Sequence, residues 1–80
     1  MRVVPKLVVS HSYESARRFA RNNHWSTLAW RYVRDENDLM GMQDCEVFFI
    51  GKWWENPHIH AINQVADAMN IKTFTPEPHP

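Results

Sequence analysis

Apolar positions fall into two kinds of run along this chain: short unbroken blocks, and stripes recurring every three or four residues. Cys45 to Ile50 is apolar but for Glu46 and stops at Gly51, which predicts a strand buried on both faces. Lys6 to Val9, with Leu7, Val8 and Val9 consecutive, predicts a second central strand. Ala29 to Val33 is a strand with Arg31 in its middle, and Lys72 to Thr75 is short and polar. Both belong at sheet edges, since a guanidinium in a central parallel strand would be stranded in the core. The helical stripes are Tyr13, Ala16, Phe19 and Ala20, capped by Ser12 and closed by Asn22, Asn23 and His24, where Asn can take the left-handed cap conformation. A second stripe is Ile59, Ile62, Val65, Ala66 and Met69, with Asn56 as N-cap and Pro57 at the first helical position. Asp35 to Met42 has room for about two helical turns on a short crossover.

Strand, helix, strand, short helix, strand, helix, strand predicts an α/β fold, a small Rossmann-like three-layer arrangement with a four-stranded parallel sheet. With the two most apolar strands in the centre, the order is 2-1-3-4, and right-handed crossovers place the two main helices on opposite faces. Residues 1–75 make one domain, and Pro76-Glu77-Pro78-His79-Pro80 is expected as a disordered tail. The order has a switch point between strands one and three, and ligands in such sheets bind outside the carboxyl ends there. Its lips are Ser10, His11 and Ser12 on one side and Gly51, Lys52, Trp53, Trp54 and Glu55 on the other.

Composition changes this picture little. Nine Lys+Arg against nine Asp+Glu give zero formal net charge, so no overall attraction to nucleic acid or acidic membranes exists, although a local basic stripe can. A single cysteine, Cys45, excludes an internal disulfide framework and a cysteine-rich metal site. It reads as a small core residue. No apolar run approaches the ~20 residues of a membrane span, and no leader pattern opens the chain; a cytoplasmic protein is expected.

Five histidines invite a metal reading, but His58 and His60 stand on different helix faces and no cysteine or carboxylate cluster completes a tetrahedral set, so no metal or other cofactor is expected. Ser10, His11 and Ser12 at a helix start suit an anion, or Ser12 merely caps and His11 is solvated. Adjacent Trp53 and Trp54 point to opposite sides if extended, leaving one to stack on a base or dock a partner, unless both pack. Arg17, Arg18, Arg21, Arg31 and Arg34, interleaved with Trp25, Trp30 and Tyr32, suit single-stranded nucleic acid. The bland reading is that Asp35, Glu36 and Asp38 neutralise them.

Asp44 opening a buried strand, then Gly51, Trp54-Glu55, a helix with Ala61, Ala66 and Ala68, and Asn70-Ile71-Lys72 leading into the last strand resemble the C-terminal half of the nucleoside 2-deoxyribosyltransferase-like proteins, most of all their small phage-borne relatives. The resemblance covers under half of the chain. It implies a nucleotide-like ligand near the switch point, with Asn63 among its contacts. The family's catalytic members use a glutamate on the helix after the aromatic loop; the matching positions here are Ile62 and Asn63, neither able to form a glycosyl intermediate. The same plan resembles, more faintly, the DNA-processing-protein-like family that binds single-stranded DNA, without its glycine-rich loop, for the chain has only Gly41 and Gly51.

The expectation is therefore a small non-catalytic binding or accessory protein with a nucleotide-like small molecule or a host protein as partner. Two alternatives stand beside it: a nucleoside-processing enzyme using Glu55 or Asp44, and a single-stranded DNA-binding protein. Open edges and a short second crossover further predict a homodimer through the second strand, the short helix after it, or the Trp53-Trp54 loop.

Overall fold

The computed structural model describes residues 4–40 and 44–76. In chain order these form β1 (Lys6–Val9), α1 (Tyr13–Asn22), β2 (Trp30–Val33), a 3-10 turn (Glu36–Leu39), β3 (Glu46–Phe49), a second 3-10 turn (Trp53–Glu55), α2 (Ile59–Ala68) and β4 (Lys72–Phe74). The strands make one parallel sheet in the order β2-β1-β3-β4, the α/β arrangement that the unbroken apolar blocks predict. Leu7, Val8 and Val9 are all buried, as a strand covered on both faces requires.

Alternation along the strands sorts the core into two layers. Leu7, Val9, Val33, Val47 and Phe49 face α2, where Ile62 and Ala66 meet them together with Leu39 of the first 3-10 turn. Val8 faces the other way, toward Ala16 of α1, with Phe19, Trp25, Trp30, Tyr32 and Phe48 packed around it. The two helices thus lie on opposite faces, as right-handed crossovers in this strand order demand. On the α1 side, the rings of Phe48 and Phe74 stack with centroids 4.9 Å apart, and Trp25 meets Phe48 edge-on at 5.0 Å.

Several boundaries differ from the sequence expectation for identifiable reasons. Tyr13, assigned to the inward stripe of α1, is 56% exposed; it starts the helix at its rim and sets its ring against Trp30 and Tyr32. α1 opens as expected, with the Ser12 hydroxyl accepting from the Ser15 N–H at 3.3 Å. It closes within the expected Asn22, Asn23 and His24, with His24 rather than an asparagine in the left-handed conformation: His24 takes φ 58°, its N–H donates to the Arg21 carbonyl, and Trp25 N–H donates to Ala20. That is the Schellman arrangement. Asn23 instead donates from its side chain to the Phe19 carbonyl at 2.8 Å.

α2 begins at Ile59 rather than Pro57. The Asn56 side-chain oxygen accepts from the His58 N–H at 2.8 Å, and its amide nitrogen donates to the Ser10 carbonyl at 3.0 Å. Asn56 is therefore pinned across the sheet end and closes a turn ahead of the helix. In the described part of the crossover expected over Asp35 to Met42, Glu36–Leu39 forms a 3-10 turn, held by a capping box in which the Asp35 and Asp38 carboxylates accept backbone N–H groups. Gly41, Met42 and Gln43 lie outside the described residues, as does the Pro-rich tail beyond Pro76. Among the described residues no helix is long and apolar enough to cross a membrane.

Candidate functional site: a groove between α1 and the edge strand

Helical periodicity puts Tyr13, Arg17 and Arg21, each four residues apart, on one flank of α1. That flank borders β2, the edge strand. Between them opens a cavity of about 950 Å³, lined by those three residues, by Trp25, Trp30, Arg31 and Tyr32, and by Arg34. The Schellman turn that ends α1 brings Trp25 back to the wall. Tyr13 and Trp30 lie nearly parallel with centroids 6.0 Å apart, and Tyr13 meets Tyr32 edge-on at 5.8 Å. The groove thus gathers four aromatic and four arginine side chains, with part of the ring surface already covered: Tyr13 and Trp30 stack on each other, and Lys6 Nζ lies over the Trp25 ring at 5.7 Å. Arg18, the fifth arginine singled out from the sequence, is exposed but does not line the cavity.

Asp35 and Asp38 stand at the same rim, yet their carboxylates are engaged elsewhere. Asp38 Oδ2 accepts from the Arg34 N–H at 2.8 Å and from the Asp35 N–H at 3.4 Å, and Asp35 Oδ1 accepts from the Asn37 N–H at 3.0 Å. Among the described residues, none of the five arginines forms an ion pair. The acidic run after β2 builds the 3-10 turn and leaves the guanidinium groups available. Burial raises the Tyr32 phenol above its ordinary range, with the Arg34 charge opposing the shift, so the wall keeps its neutral hydroxyl at physiological pH. That hydroxyl donates a long hydrogen bond, 3.4 Å, to the Ser10 carbonyl.

The switch point has a different character. Ser10 is fully buried and Asn56 nearly so. The Ser10 carbonyl accepts from both Tyr32 and Asn56, and Ser10 Oγ lies 3.4 Å from His11 Nδ1. Gly51 has φ +59°, and a Cβ built on it would come within 2.6 Å of Ser15 Oγ and 3.1 Å of Ser10 Oγ. The two lips therefore close directly on each other, with too little room at that contact for a methyl group. His11, Lys52 and Glu55 are exposed around it, and Ser12 is half-buried as the α1 cap. Trp53 and Trp54 form a 3-10 turn rather than an extended pair, so they do not splay to opposite sides. Their rings meet edge-on at 5.6 Å, Trp53 packs on Phe49 at 5.4 Å, and both are half-buried.

Asn63 is not at the switch point's closed contact. With Trp53, Asp67, Thr73 and Thr75 it lines a second cavity, about 470 Å³, between α2 and β4. Ile62, at the neighbouring position, is fully buried in the core. His58 and His60 are exposed, and among the described residues no three His, Cys, Asp or Glu side chains gather to hold a metal ion. Cys45 is buried, and burial followed by the neighbouring Asp44 charge raises its thiol, which disfavours the nucleophilic thiolate.

Sequence reasoning gave Tyr13 to the inward stripe of α1 and Asn56 only to a helix cap, and it passed over Ser15. The four-residue spacing of Tyr13, Arg17 and Arg21 carried the signal for the first; the Asn56-Pro57 pair marks a turn but not the contact to Ser10, and nothing local marks Ser15, whose approach to Gly51 joins distant segments. Compared with family models, curated proteins and solved structures, the chain matches none of them.

Proposed function

We propose that the chain is a non-catalytic binding protein and that its groove between α1 and β2 takes single-stranded nucleic acid. The supporting observation is the conjunction of Arg17, Arg21, Arg31 and Arg34, none ion-paired among the described residues, with the aromatic side chains of Tyr13, Trp25, Trp30 and Tyr32 along one 950 Å³ cavity. Phosphates need unpaired cations, and unpaired bases need flat apolar faces; sites for flexible single strands combine the two and tolerate any sequence. A duplex hides its base faces, so the aromatic wall would contribute nothing to binding it. The zero net charge of the chain is no obstacle, because attraction at this range is set by the local field, screened within about 8 Å at physiological salt.

Catalysis has no comparable support. At the positions where the resembling transferases carry their glutamate stand the buried Ile62 and the amide of Asn63.

Fluorescence anisotropy with a labelled oligothymidylate tests the reading. Binding at low salt is expected, with log K falling against log salt at a slope of roughly −2 to −3 if three or four phosphates are neutralised. Trp30→Ala is expected to weaken it by about 1–3 kcal/mol, the usual value of one stacked base. Arg17→Ala should weaken it and flatten the slope, while Arg18→Ala should do far less. Absence of binding at low salt, or an unchanged affinity in Trp30→Ala, would overturn the assignment.

A further inference from the structure

We propose that Tyr13 and Trp30 are the two jaws of a clamp that closes on one unpaired base of the bound strand, and that the groove therefore prefers a strand carrying a purine. The clamp deepens the reading of the groove given above and rests on it. The two rings already face one another, with planes 26° from parallel and centroids 6.0 Å apart. Successive bases in a stack lie roughly 3.4 Å apart, so a base held between two rings needs them about 7 Å apart. From 6.0 Å, the pair must open by at least about 1 Å.

The jaws differ in freedom. Trp30 is fixed: it opens β2, pairs in register with Lys6 of β1, and packs half-buried on the layer of Val8, Ala16 and Ile50. Tyr13 is the first residue of α1 and is more than half exposed. Its ring meets Trp30 and Tyr32, and its phenol makes no hydrogen bond among the described residues. A turn of that one side chain, with the helix unmoved, opens the clamp.

The balance of contacts favours closure on a base over displacement by it. A base that pushed Tyr13 off Trp30 would exchange one ring contact for another and leave the tyrosine in water. A base taken between them exchanges one ring–ring contact for two base–ring contacts. Stacking accepts any base, and its strength sets the modest preferences that single-strand sites show. A purine, with two fused rings, gains on both faces at once. Arg17 stands one helical turn beyond Tyr13 on the same wall, a cation beside the phosphates of the clamped nucleotide.

Anisotropy at low salt, with a short oligothymidylate and the same strand carrying one central adenine, tests the clamp. The adenine strand is expected to bind the wild-type chain several-fold more tightly. Tyr13→Ala should weaken binding roughly 5- to 100-fold, the effect of losing one stacked face, and remove most of the adenine preference. Tyr13→Phe should keep both. Tyr13 grips only a base already resting on Trp30, so the double variant Tyr13→Ala/Trp30→Ala should bind about as weakly as Trp30→Ala alone. Equal binding of the two strands by the wild-type chain overturns the clamp and needs no variant to fold. So does a Tyr13→Ala chain that binds as tightly as wild type or more tightly, which makes the tyrosine a mere cover over Trp30. Losses that multiply in the double variant overturn it too, because the rings then hold separate bases. In each of these cases oligothymidylate still binds and the groove reading stands; absence of binding by both strands removes the two together.

Discussion

Gly51 sits where two constraints coincide: a positive φ that residues with a Cβ adopt at a cost, and Ser15 and Ser10 hydroxyls within 2.6 and 3.1 Å of where a Cβ would lie. Gly51→Ala is expected to destabilise the protein by about 1–3 kcal/mol, the cost of one strained backbone position, measured by urea unfolding. A change below a few tenths would mean that the two lips separate freely. Tyr32 gives a pH signature. Burial raises its phenol above the ordinary 10.0, so in alkaline solution the unfolded chain loses this proton first. Between the ordinary and the raised value the unfolded state binds fewer protons, and stability falls as pH rises through that window, being fully present below it. Tyr32→Phe should therefore flatten the loss of stability above pH 10 in thermal melts.

At the scale of elements, both helices end in the same device. His24 after α1 and Asn70 after α2 have φ 58° and 54°, and the residue beyond each, Trp25 and Ile71, turns its N–H back to Ala20 and Ala66. Glycine takes that position without the Cβ penalty. His24→Gly is expected to raise stability by about 1 kcal/mol, and Asn70→Gly by less, because asparagine tolerates the left-handed region better than most residues. Thermal midpoints of the two variants check the order. These ends were partly legible: Asn22, Asn23 and His24 were expected to close α1, with an asparagine as the left-handed residue. Beyond the left-handed residue Trp25 packs on Phe19 and on Phe48, and the second of these contacts joins segments far apart in the chain.

For the molecule as a whole, the sheet and its order were legible because only two strands are apolar enough to be covered on both faces, and Arg31 marks an edge by itself. The candidate site was legible as a set of residues but not as a place. Arg17, Arg21, Arg31 and Arg34 were visible with their aromatic neighbours, yet adjacency to Asp35 and Asp38 suggested neutralisation. Only the folded 3-10 turn shows those carboxylates spent on backbone N–H groups. At the switch point the strand order marks a crevice but does not show how closely Gly51, Ser15 and Ser10 approach one another there. The order β2-β1-β3-β4 also governs when the chain can become safe from its neighbours. β1 is made early, but its second edge finds a partner only when β3 has been synthesised, and the face carrying Leu7 and Val9 stays uncovered until α2 follows. A nascent chain stalled between β2 and β3 holds its most apolar strand half-paired, and one stalled before α2 leaves a face of it uncovered. Long-range parallel pairing of this kind is slow to form and exposed while it waits, so folding yield should depend on translation speed across that interval more than on the stability of the finished sheet.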